Sequence, residues 1–193
     1  MYTTNPESAV ISATQRWLER AVIGLNLCPF AKAVHAKGQI RYVVSSATTP
    51  EALADDLLRE LEFLAEANAE QVDTTLLIHP QVLTDFLDFN DYLDVADGIV
   101  HELELDGILQ VASFHPQFQF EDTEPDDITN YTNRSPYPTL HLLRRTAWSV
   151  RSRRFRRSWR SRVPTLQRLK SWAMTAGKHW KFLRQGNSFF GIH

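Results

Sequence analysis

Residues 40–80 read IRYVVSSATTPEALADDLLRELEFLAEANAEQVDTTLLIHP, and this stretch decides the fold class. Ile40 to Ser46 is β-branched and aromatic, which predicts a strand. Thr49 then stands as a helix cap with Pro50 at the first helical position, where a missing N–H costs nothing. Leu53, Leu57, Leu61 and Leu64 keep one apolar face along the helix that follows. Asp73 to Pro80 closes the stretch as a short buried strand. A strand, an amphipathic helix and a strand in succession favour a sheet covered by helices.

The flanks extend the same alternation. Upstream, TTNPESAVISATQRWLERAVIGLNLCPFA opens a helix with Asn5 as cap, Pro6 at the first position and Gly24 as its end. Downstream, Phe86, Phe89, Leu93, Ala96 and Val100 recur at helical spacing after Thr84, the expected cap. Gly107 marks a turn. Ile108 to Asp122 reads as a third strand, first continuous and then alternating. A polar loop follows, and Thr139 to Leu143 is a fourth strand. The expected fold is a single α/β domain over residues 1–144, with a mixed sheet of about four strands and helices packed on it. Strand order is not readable from the sequence.

Charge divides the chain sharply. Its 193 residues carry a net charge of -2. Residues 1–143 hold all 23 acidic residues against 7 basic ones, whereas residues 144–193 hold 14 basic residues and no acid. A basic, tryptophan-bearing segment in principle neutralises phosphates and stacks bases. The acidic body repels nucleic acid and suits a basic partner protein. One cysteine excludes a disulfide framework and multi-cysteine zinc motifs. The early charged residues Glu7, Arg16, Glu19 and Arg20 argue against a signal peptide, and no apolar run approaches the ~20 residues of a membrane span. A soluble cytoplasmic protein without a membrane partner is expected.

The densest chemistry lies in the loop Glu121 to Pro138. Asn130, Asn133, Arg134, Ser135 and Tyr137 offer amide, guanidinium and hydroxyl groups suited to a carboxylate or phosphate, and Arg144 flanks the following strand. Loops at strand ends are common places for sites, but Asn, Ser and Pro also build turns that satisfy themselves. His115 and His141 lie in apolar strands. If they converge, they are candidates for acid–base work; a hydrogen-bonded core role is the plain reading of each. His79, before Pro80, has a weaker claim. Cys28 is a candidate nucleophile if a base activates it, although Leu25, Leu27 and Phe30 beside it favour burial. No HxH or HExxH spacing supports a metal. The aspartates at 85, 88, 91, 94 and 97 lack the glycine and glutamate of a calcium loop. No cofactor is implied.

The segments GLNLCPFA, TTLLIHP, FNDYLDVAD, ILQVASFHPQFQF and NYTNRSPYPTLHLLR resemble, in order, one bacterial family, the domain-of-unknown-function family 1415. The resemblance covers roughly residues 7–144. It implies a soluble bacterial protein and carries over no catalytic residue. After Arg144 the resemblance ends, where family members look like LLRE followed by an acidic helix and then GHDGW. Codons permitted for RTAWSV at 145–150, read one base earlier, allow Glu-Asp-Ser-Val-Glu-Arg. The same shift over SWAMTAGKHW at 171–180 allows Met-Gly-His-Asp-Gly-Trp-Glu-Ala-Leu. Residues 145–193 are therefore expected to be out-of-frame translation and poorly packed, with any nucleic-acid binding through them nonspecific. The functional expectation is a protein that binds or transforms a small anionic ligand at a loop-lined pocket. The alternative is a non-catalytic regulatory or protein-interaction module.

Overall fold

A computed structural model describes residues 6–145. The expected tail at 145–193 lies outside them apart from Arg145, as does the expected cap Asn5. The elements run α1 (Pro6–Trp17), continued by a wider π-helical segment (Leu18–Ile23), α2 (Ala31–Ala36), β1 (Ile40–Val44), α3 (Pro50–Glu66), β2 (Thr74–Ile78), α4 (Phe86–Glu102), β3 (Leu109–Phe114), a 3-10 turn (Ile128–Thr132) and β4 (Thr139–Arg144). The sheet order is β1-β2-β4-β3. β1 and β2 are parallel, while β4 runs antiparallel to both β2 and β3. The α/β fold with a four-stranded mixed sheet is the one expected.

The helix starts follow from capping. The Thr49 hydroxyl accepts from the Ala52 N–H, and Pro50 opens α3. α4 is capped by Asp85 and not by Thr84: the Asp85 carboxylate accepts the N–H groups of Leu87 and Asp88 at 2.9 and 3.1 Å. Adjacent Thr and Asp are both cap-forming residues, and the carboxylate can take two of the orphan donors. Gly24 does end the first helical run, but its φ is -62°, so freedom of φ is not the reason. A Cβ there would collide with the Arg20 carbonyl, because the wide turn folds its backbone back on itself. Gly107 does take a left-handed φ of 73°. The short α2 carries no apolar stripe and was not expected.

Side chains alternate across a strand, so the sheet has two distinct faces. On one, Leu77, Leu140 and Leu142 pack against α3 and α4, whose Leu53, Leu57, Leu61, Leu64, Phe89, Ala96 and Val100 are buried. Each such leucine contributes roughly 2 kcal/mol of burial. Leu76 and Ile78 face the other way, where α1 and its π-helical extension bury Leu18 and Val22 and Trp17 meets Phe114 edge to face. β3 is shorter than the run Ile108 to Asp122 suggested. The chain turns at His115–Pro116, and Phe118 folds under α4 onto Phe86 instead of continuing a strand.

Candidate functional site

The carboxyl ends of β2 and β3 and the start of β4 lie at one edge of the sheet, because β4 is antiparallel to its neighbours. The loops 79–85 and 115–138 meet there. His79 N–H donates to the Pro138 carbonyl at 3.0 Å, and His115 N–H to the Asn133 carbonyl at 3.1 Å. The carboxyl end of parallel strands in an open α/β sheet is a recurrent ligand position.

The polar loop residues are brought together here, and they bond mainly to each other. Asn130 is fully buried; its Oδ1 accepts from Phe120 N–H and the Thr123 hydroxyl, and its Nδ2 donates to the Glu124 carbonyl. Asn133 Nδ2 donates to the Ser113 carbonyl. Arg134 donates from Nε to the Phe118 carbonyl and from Nη2 to the Pro125 carbonyl, with its guanidinium 4.4 Å above the Tyr131 ring. The Ser135 hydroxyl donates to the Tyr137 carbonyl, which also accepts from Thr139. These bonds fix the loop's shape.

The histidines do not converge as a pair of 115 and 141. His115 stands on the α4 side against Phe86 and Phe89. His141 stands on the α1 side against Phe114. The tautomer of His115 follows from its partners. Its Nδ1 accepts from Gln117 N–H, and its Nε2 lies 3.3 Å from the Leu83 carbonyl, which can only accept. Both ring nitrogens are thus engaged. Burial pushes its pKa down, against the raising effect of the nearby Leu83 and Thr84 carbonyls. His141 is set by similar logic. The Thr74 hydroxyl already donates to the Leu142 carbonyl, so it accepts from His141 Nε2–H at 2.7 Å. Its depth in the sheet pushes its pKa down to about 4, although its ring is not wholly covered.

Two expected members lie elsewhere. Arg144 is at the far end of β4, opposite Leu109, while the loop adjoins Thr139 at the near end. It donates to the carbonyls of Leu64, Ala67 and Val72 and so caps the C-terminal end of α3. Cys28 sits in the loop after the π-helical segment, and no hydrogen bond joins it to a histidine among the described residues. Its neighbours are not buried: Leu25 is 70% exposed and Phe30 73%. Among the described residues no group of three or more His, Cys, Asp or Glu side chains is arranged to hold a metal ion.

The residue that the sequence underweighted is His79. It is fully buried, stacked 5.7 Å from Phe89, which also packs on His115. Its Nδ1 lies 2.9 Å from the Val82 carbonyl and must therefore carry the proton. The lone pair on Nε2 has no hydrogen-bond partner among the described residues. Burial, reinforced by the nearby His115, pushes its pKa down to about 4. Tyr92, one helical turn beyond Phe89 on α4, is a second buried side chain whose hydroxyl lacks a partner among these residues. Its pKa is raised, first by burial and then by Asp56, Glu51 and Asp55. A position at the end of a short buried strand, just before a proline, was the one sequence signal for His79.

A family model described as "Protein of unknown function (DUF1415)" matches residues 9–158, and the chain belongs to that family. The matched range runs beyond Arg144, where the resemblance was read to stop, and its residues 146–158 lie outside the described part. No curated protein and no solved structure matches the chain. No helix of the described residues is long and apolar enough to cross a membrane.

Proposed function

We propose that the protein binds a small molecule at the carboxyl end of β2, through a ligand hydroxyl or N–H group that donates to Nε2 of His79. The carrying observation is that lone pair: fully buried, on a neutral imidazole, and unpartnered among the described residues. A buried acceptor without a donor costs about 1–3 kcal/mol, so a ligand that supplies one gains directly. The Tyr92 hydroxyl lies on the side of the sheet where Phe89 stacks on His79, and it suits a second polar contact.

The expected anionic character of the ligand rests on Arg134 alone among the cations of these loops. Its guanidinium braces two loop carbonyls, and Glu121, Asp122, Glu124, Asp126 and Asp127 crowd the same segment. A neutral polar ligand fits this field better than a strongly anionic one. His115 is a positioning residue in this reading, because both of its nitrogens are occupied.

The test is a thermal-shift screen of the purified chain against polyols, nucleosides, amides and their phosphorylated counterparts. A ligand at a hundred times its Kd stabilises by about 2.7 kcal/mol, a readable shift. The expected result is a neutral hydroxyl- or amide-bearing compound whose stabilisation is lost in His79→Leu and weakened in Tyr92→Phe, with both variants folded. A compound that binds His79→Leu as tightly as wild type would overturn the reading.

A further inference from the structure

Two surface loops of this chain each expose large apolar side chains and carry opposite charge. The first follows the π-helical segment. Leu25, Leu27 and Phe30 are 70%, 40% and 73% exposed. They are held on a fixed backbone: the N–H groups of Gly24, Leu25, Asn26 and Leu27 donate in turn to Glu19, Ala21, Ile23 and Val22 carbonyls. Exposed Arg20, Lys32 and Lys37 flank them, and none has an ion-pair partner among the described residues. This is the basic part of the body. Residues 6–40 hold four Lys and Arg against Glu7 and Glu19, whereas residues 41–143 hold 21 carboxylates against Arg41, Arg59 and Arg134.

The second loop follows β3. Phe120, Ile128 and Tyr131 are 40%, 82% and 56% exposed. Glu121, Glu124 and Asp126 stand exposed among them. Side chains of this size, clustered and left in water, mark contact surfaces more often than chance exposure does.

We propose that two copies of the chain associate head to tail, the basic apolar loop of one copy seated on the acidic apolar loop of the other. Repeated around a ring or along a chain, this one kind of contact covers both patches and matches positive to negative at the rim. An anionic bilayer would suit Arg20, Lys32 and Phe30, but it leaves Ile128 uncovered and meets the repulsion of the acidic remainder. The chain's own basic segment after Arg144 would neutralise the acidic loop and leave Leu25 and Phe30 in water. A contact between two different patches is heterologous, so it closes a ring or extends a chain according to the angle between them. The inference is independent of the ligand proposed for His79.

Sedimentation velocity of the full chain over a concentration series tests it. Association is expected in wild type and weakens with salt. The pair Arg20→Glu and Lys32→Glu raises the dissociation constant about tenfold or more, as does the pair Glu124→Lys and Asp126→Lys, because each turns attraction into repulsion. All four changes in one chain restore association, since reversed loops again meet with opposite sign. These positions are exposed, so the fold tolerates the changes. A wild type that stays monomeric at every concentration overturns the proposal. So does association that survives both reversals, which would assign it to the basic segment, and so does a monomer that instead partitions onto phosphatidylserine vesicles.

Discussion

His79, His115 and His141 are each neutral for the same physical reason, exclusion from water, yet their free atoms differ. His115 and His141 use Nε2–H as donor, whereas His79 uses Nδ1–H and leaves Nε2 open. Their depressed pKa values make stability depend on pH. In the unfolded chain these imidazoles protonate near 6.5, but His79 and His141 in the folded protein do so only near 4. Between those values the unfolded state binds more protons, so stability is fully present above 6.5 and is lost as pH falls towards 4. Each of the two contributes about 2 kcal/mol of that loss by pH 5. Urea unfolding at pH 7 and pH 5 should show it, and His141→Gln should remove roughly half of the difference. A stability that is flat between pH 7 and pH 5 would contradict the buried neutral imidazoles.

At the scale of elements, local chemistry made the strands and helix starts legible. Thr49 and Pro50 mark the start of α3, and its leucine stripe marks the face that the core buries. α4 shows the limit of such reading. Thr84 and Asp85 are both cap residues, and only the entry angle of the chain decides which side chain meets the free N–H groups. Asp85→Ala should therefore cost about 1 kcal/mol, and Thr84→Ala close to nothing, by thermal denaturation. Equal effects would contradict the assignment. The third strand was read too long because Phe118 and Phe120 alternate like strand residues. Their alternation serves packing inside a turn, where Phe118 meets both Phe86 and Phe120. The polar loop was legible as a loop, but its bonding was not. Whether Asn130 or Arg134 faces a ligand or a carbonyl depends on which backbone groups the fold leaves unsatisfied nearby. Arg144 is the same case: adjacent to the loop's strand in sequence, it serves the far end of α3.

At the scale of the molecule, the sheet order gathers the functional candidates on one edge and separates others that sequence proximity had joined. His115 and His141 sit on opposite faces because His115 lies three residues, an odd number, beyond Ala112, which pairs with His141. The exposure of Leu25, Leu27 and Phe30 reverses the expectation that they bury Cys28. Apolar composition alone does not say whether a loop packs inward or outward, and here the backbone bonds of the π-helical turn hold it outward. The same exposure gives the body a basic apolar surface to set against its acidic one, on which the head-to-tail contact rests.

The most direct test of the account is long-range proton–nitrogen NMR of the imidazole rings at pH 7. Opposite tautomers are expected in the two neighbours: His79 protonated on Nδ1 with a bare Nε2, and His115 protonated on Nε2 with Nδ1 accepting. A ligand found in the thermal screen is expected to shift the Nε2 resonance of His79 more than any other ring nitrogen. The same tautomer in both rings, a charged His79, or a bound ligand that leaves its Nε2 unmoved would contradict the account.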